Sequence, residues 1–199
     1  MKFTSIAVLA VAALLSSCTS RELNFLPTAD YVANIKPGVG FFTTTDTATN
    51  QTTITLIAPS VQFQAIPGAI GGVVSGYTVR YLDQSNNPLQ VNGQTITGFD
   101  EGLGVVVEPG RSCEAGVGNQ CPLIGSKNLQ FVPGPITNGD PQRLITGEVA
   151  SAYLTERARA GGDPTGWKAE ITFRIQDANG ANRQFTIIKN VQYPLENTK

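Results

Sequence analysis

Hydrophobic and polar residues alternate with a period of two through much of the chain, most cleanly in "WKAEITFRIQ". Trp167, Ala169, Ile171, Phe173 and Ile175 fall on one side, and Lys168, Glu170, Thr172, Arg174 and Gln176 on the other. That pattern predicts a strand with one buried and one wet face. "DANGAN" follows, with Asn179-Gly180 at the centre of a tight-turn signal. "RQFTIIKNVQYP" then resumes the alternation through Phe185, Ile187, Val191 and Tyr193. The two segments predict a hairpin.

The same rhythm runs upstream. "TTITLIAPSVQFQAIP" carries Ile54, Leu56, Val61, Phe63 and Ala65, and Pro59 interrupts it. A proline inside such a run marks an edge strand or one that changes sheets. "GGVVSGYTVRYLD" predicts a strand through Val73, Tyr77, Val79 and Tyr81, closed by the turn "QSNNP". "GQTITGFD", "GLGVVVEP" and "NLQFVP" are three shorter candidates. About seven short strands with turn signals every 8–12 residues or so predict an all-β fold, an antiparallel sandwich. "GEVASAYLTERARAGG" departs from the period: it is rich in helix formers and stops at Gly161-Gly162. It predicts one short crossover helix over 147–160; the alternative is a strand carrying Val149, Ser151 and Tyr153.

The Trp-containing strand, the tight hairpin and the even spacing resemble an immunoglobulin-like or fibronectin-III-like domain over roughly residues 50–195. The antibody-type Cys…Trp…Cys spacing is missing, because Cys113 and Cys121 are too close in sequence. Antibody-like function therefore does not carry over, and such a fold leaves function open.

The N-terminus carries a different signal. Lys2 is followed by ten apolar residues, Ile6 to Leu15. That run is shorter than the roughly 20 residues a spanning helix needs, and it matches the core of an export signal. It ends in Leu15-Ser16-Ser17-Cys18, which resembles the lipobox of bacterial lipoproteins. The resemblance implies cleavage after residue 17 and a diacylglyceryl group on the Cys18 sulfur. It also implies a membrane partner through that anchor and, with Thr19 rather than Asp next, delivery to an outer membrane where the cell has one. Several acyl chains give stable anchoring where one chain holds only marginally. The alternative is an ordinary secretory signal with an incidental cysteine.

Residues 1–17 thus read as signal, 18–50 as an N-terminal lipidated arm and 51–199 as the Ig-like sandwich. The arm is too apolar for a plain linker, with Leu23, Phe25, Leu26, Tyr31, Val32, Ile35, Val39, Phe41 and Phe42. Two readings stand. Residues 23–42 lie back across their own domain, or Phe25, Leu26, Tyr31, Phe41 and Phe42 engage a partner, for instance by strand addition.

Composition narrows the chemistry. Loss of Lys2 with the signal leaves 13 basic and 15 acidic residues, a formal charge of −2. That is no footprint for nucleic acid. Histidine is absent, which removes every His-dependent acid/base mechanism and His-ligated metal site. Cys113 and Cys121 flank a Gly-rich loop in a chain bound for an oxidising compartment, which predicts a disulfide. Closing so short a loop would stabilise by about 2–3 kcal/mol. A redox or metal pair is the poorer reading, since the spacing is not C-x-x-C.

No phosphate-binding glycine motif occurs, and "GAIGGVVSG" reads as a sharp turn with close strand packing. "DANGAN" lacks most ligands of a calcium loop. Asp100 and Glu101 are neighbours on a strand, so they point to opposite faces and do not converge. Arg157 and Arg159 read as a solvated surface. No cofactor is implied.

The expectation is therefore a non-enzymatic, lipid-anchored envelope protein, an accessory protein–protein interaction subunit of a surface or outer-membrane assembly. The rival is a ligand-binding sandwich, favoured if Trp167, Tyr153 or Tyr193 lies exposed beside a groove. A hydrolase working through paired carboxylates is third.

Overall fold

The computed structural model describes residues 31–114 and 129–195. Two sheets face each other, and one helix joins them. The larger has six strands in the order β3-β2-β13-β12-β5-β8: β2 Val39–Thr45, β3 Thr52–Leu56, β5 Gly72–Leu82, β8 Phe99–Val107, β12 Lys168–Asp177 and β13 Asn182–Gln192. The smaller has three, β1 Tyr31–Lys36, β4 Ser60–Ala65 and β11 Thr137–Asn138, with β4 in the middle. Short ribbons are made by β6 Gln90–Val91 with β7 Gln94–Thr95, and by β9 Arg111–Glu114 with β10 Leu129–Val132. The all-β sandwich with a single short helix is thus the observed fold. One ladder departs from the antiparallel expectation: β2 runs parallel to β13, Val39 opposite Val191 and Gly40 opposite Gln192. A Cβ on Gly40 would lie 2.3 Å from the Gln192 carbonyl oxygen, so glycine permits this approach.

The alternation in β12 builds the centre of the core. Ala169, Ile171, Phe173 and Ile175 are all buried. Phe173 meets Phe63 of the opposite sheet edge-on at 5.0 Å between ring centroids and stacks on Phe185 at 5.2 Å. The hairpin to β13 is fixed by Asp177, whose buried carboxylate accepts the backbone N–H of Asn179 (3.0 Å) and Ala181 (2.9 Å). Gly180 takes the left-handed conformation (φ 80°) that the turn requires.

Pro59 lies where the chain leaves the large sheet at β3 and enters the small one at β4, the sheet change that its position in the pattern suggested. In β5 the alternation is corrected by one residue. A bulge beside Ser75 shifts the register between Val74 and Gly76, so Val74 is buried and Val73 is 41 % exposed. The extra residue turns the strand's phase over, as bulges do.

The 147–160 segment is a helix, α1 Gly147–Ala160. Thr146 caps it by accepting from the Val149 N–H, Glu148 and Arg157/Arg159 complement its dipole, and left-handed Gly161 closes it on the Arg157 carbonyl. The strand alternative fails because Val149, Ala150 and Tyr153 share one buried helical face. The helix carries the chain from β11 of the small sheet to β12 of the large one.

A boundary at residue 50 does not separate arm from body. Residues 31–45 form β1 and β2, and Tyr31, Ile35, Val39 and Phe41 belong to the common core.

Candidate interaction surface

The outer side of the small sheet is built from alternate residues whose neighbours fill the core. In "SVQFQA", Val61, Phe63 and Ala65 are fully buried, which turns Gln62 and Gln64 outward. On β1 the same alternation buries Tyr31 and Ile35 and exposes Val32 and Asn34. Register aligns these positions across strands: Val32 lies opposite Gln64, and both Asn34 and Asn138 lie opposite Gln62. The result is a row of three amides beside an aliphatic–amide pair, with Ile136 adjoining. Val32 is 49 % and Ile136 58 % exposed.

The amides are oriented. Gln62 Nε2 donates to Asn138 Oδ1 at 3.0 Å, and Gln64 Nε2 donates to the Gly134 carbonyl at 2.8 Å. Val32, Asn34, Gln62, Phe63, Gln64 and Ile136 line a shallow depression of about 130 Å³. None of these groups carries a charge.

The outer side of the large sheet has the opposite character. Arg80 pairs with Glu170, and Arg174 with Asp100. Lys168 Nζ donates to Asn86 Oδ1 at 2.8 Å, and Thr172 and Thr186 share a hydroxyl hydrogen bond at 2.9 Å. This is the face of a sheet in water.

Tyr31 and Phe41 are core residues. The Tyr31 hydroxyl donates to the Ile70 carbonyl at 2.9 Å, and Phe41 packs against Tyr153 and Tyr193. Phe42 is half-buried on β2. None of the three stands free as part of a partner-binding arm. Phe25 and Leu26 lie outside the described residues, as do Cys18 and Cys121, and with Cys121 the expected pairing to Cys113.

The aromatic rings named for ligand binding are occupied. Trp167 and Tyr153 are buried and meet edge-on at 5.4 Å. Arg157 covers the half-buried Tyr193 ring at 4.8 Å while pairing with Asp163 at 2.7 Å. A groove of about 400 Å³ passes Trp167 between Gln90, Asn92, Glu156 and Arg159, but with the residue 8 % exposed no ring face is offered to a sugar.

The acidic pair divides as its alternation requires. Asp100 accepts from Thr78 (2.9 Å) and Arg174 on the outer face, and the Arg174 guanidinium holds its carboxyl below the usual carboxylate range. Glu101 accepts from the Tyr77 hydroxyl (3.0 Å) and Arg143 (2.6 Å) at the sandwich rim. Burial and the Glu101 bond raise the Tyr77 pKa and keep it a donor. Both carboxylates have structural partners, and Arg159 likewise pairs with Glu156 at 2.5 Å. Among the described residues no group of three or more Cys, Asp or Glu could hold a metal ion. No helix among them is long and apolar enough to cross a membrane.

Sequence reading missed Asn34, Gln62, Gln64, Asn138 and Ile136. The signal was available in "SVQFQA": an alternating strand whose wet positions hold amides and no charge. Comparison with protein-family models and with curated proteins gives no match.

Proposed function

We propose that this chain is a lipid-anchored cell-envelope protein whose sandwich serves as a non-catalytic docking subunit, binding a protein partner through the outer face of β1-β4-β11. The observation that carries the reading is the composition of that face: aliphatic and amide groups, half exposed, with no charge. Interface centres are depleted in charged residues and keep groups that can hydrogen-bond across. Oriented amides leave the Gln62 and Gln64 carbonyl oxygens for a partner, at little further cost in side-chain ordering. The lipobox-like Leu15-Ser16-Ser17-Cys18 supports the anchor. The buried or covered faces of Trp167, Tyr153 and Tyr193 speak against the sugar-binding rival.

The test is a mild-detergent pull-down with Val32→Glu and Ile136→Glu combined. Buried charges at an interface cost several kcal/mol, whereas exposed substitutions change stability by about 0.5 kcal/mol or less. The partner should vanish while the melting temperature holds. Undiminished recovery with the double variant, or recovery of wild type as a lone monomer, sinks the proposal.

A further inference from the structure

β13 has two edges. One is paired with β12 along Asn182–Asn190. The other meets β2 only at Val191 and Gln192, so among the described residues no strand lies along 182–190 on that side. Open edges present rows of unpaired N–H and C=O groups, and folded proteins cover or blunt them. The large sheet's outermost strands show the covering: β3 lies beside α1, and Gly139 of the 133–143 segment packs on Val105 of β8. The open stretch of β13 is also apolar. Phe185 and Ile187 are only half-buried, and Ile188 is 51 % exposed.

The chain's own path points to the occupant. Tyr31 stacks on Phe185 with ring centroids 6.4 Å apart, and Val39 lies opposite Val191. From 31 to 39 the chain therefore advances along β13 in the direction of β13 itself. A segment preceding Tyr31 that lay along the open edge would have to reverse first, and so would run antiparallel to β13, the slightly stronger pairing. Pro27-Thr28-Ala29-Asp30 supplies turn residues at that point. Before the turn, "RELNFL" alternates, with Leu23 and Phe25 on one side and Glu22 and Asn24 on the other. Residues 18–26 number nine, the same as the open stretch from Asn182 to Asn190.

We propose that residues 21–26 add to the open edge of β13 as an antiparallel strand, laying Leu23 and Phe25 over Phe185 and Ile187. The arm is then the last strand of the large sheet, and the lipid at Cys18 is held within a few residues of the sandwich's surface. The inference makes no use of the small-sheet docking face.

Hydrogen exchange on the full chain in detergent tests it, comparing wild type with Asn24→Pro and Phe25→Asp. The first removes a backbone donor and the second buries a charge; neither touches the described sandwich. The edge amides within 183–190 should be protected in wild type and exchange about 30-fold faster or more in both variants, as for a locally opened element. The β12 amides, bonded between β13 and β5, should not change. Equal exchange in all three chains overturns the proposal. So does wild-type protection that rises with protein concentration, which assigns the edge to a second copy, or protection that appears only with envelope extract.

Discussion

Phe173→Ala is the most demanding test of how the two sheets are held together. The ring is fully buried at the sandwich centre. It touches Phe63 of the small sheet at 5.0 Å, Phe185 of the neighbouring strand at 5.2 Å and Tyr77 of β5 at 6.1 Å. Truncating a buried Phe costs about 3–5 kcal/mol, through lost transfer energy and the cavity left behind. Three aromatic neighbours, each pair contributing about 0.5–1.5 kcal/mol beyond area burial, place this site at the upper end, near 4–5 kcal/mol. That is a large share of a total stability of about 5–15 kcal/mol. At about 2–4 °C per kcal/mol for a domain of this size, the melting temperature should fall by about 8–20 °C. Phe173→Leu keeps most of the volume and should cost about 1–1.5 kcal/mol. Urea denaturation followed by Trp167 fluorescence reads both, with the midpoint shifting and the slope unchanged. Two small and equal losses, each below about 1 kcal/mol, would refute the claim that the sheets pack through this ring.

Other outcomes follow from the same structure. Burial works to raise the Asp177 pKa, but hydrogen bonds from the Ala181 N–H, Arg183 and the Asn179 N–H outweigh it and hold the pKa below the ordinary value. Its contribution to stability is therefore full above the unfolded carboxylate pKa, near 4, and is lost as pH falls through the lower folded value. Asp177→Asn should flatten the acid limb of the stability–pH curve, and an unchanged wild-type-minus-variant difference between neutral pH and pH 2 would count against this role. Gly161→Ala meets no steric neighbour but must keep a φ of 71°, so it should destabilise by about 1 kcal/mol in thermal melts. Cys18→Ser should yield an unlipidated chain by intact mass and shift it out of the membrane fraction; an unmodified thiol in wild type would end the anchor proposal.

Much of the fold is written in local pattern. The β12–β13 hairpin, the sheet change at Pro59 and the capped helix each follow from period, proline or cap chemistry within a few residues. The misreadings have non-local causes. Ser75 looks like any strand residue, and only the mismatch of β5 against both neighbours makes it a bulge. Residues 31–45 look like an apolar arm because β1 and β2 lie in different sheets, and their partners, Ser60–Ala65 and Val191–Gln192, are distant in sequence. The docking face was invisible for the same reason. Asn34, Gln62 and Asn138 become one row only through the register of three separated segments.

The central claim is that a partner sits on the uncharged face of the small sheet and not on the ion-paired face of the large one. A photo-crosslinking residue placed in turn at Gln62 and at Thr172, activated in intact cells, tests this directly. The account predicts one discrete higher-mass adduct from position 62 and none from 172. An adduct from 172 with position 62 silent would contradict it.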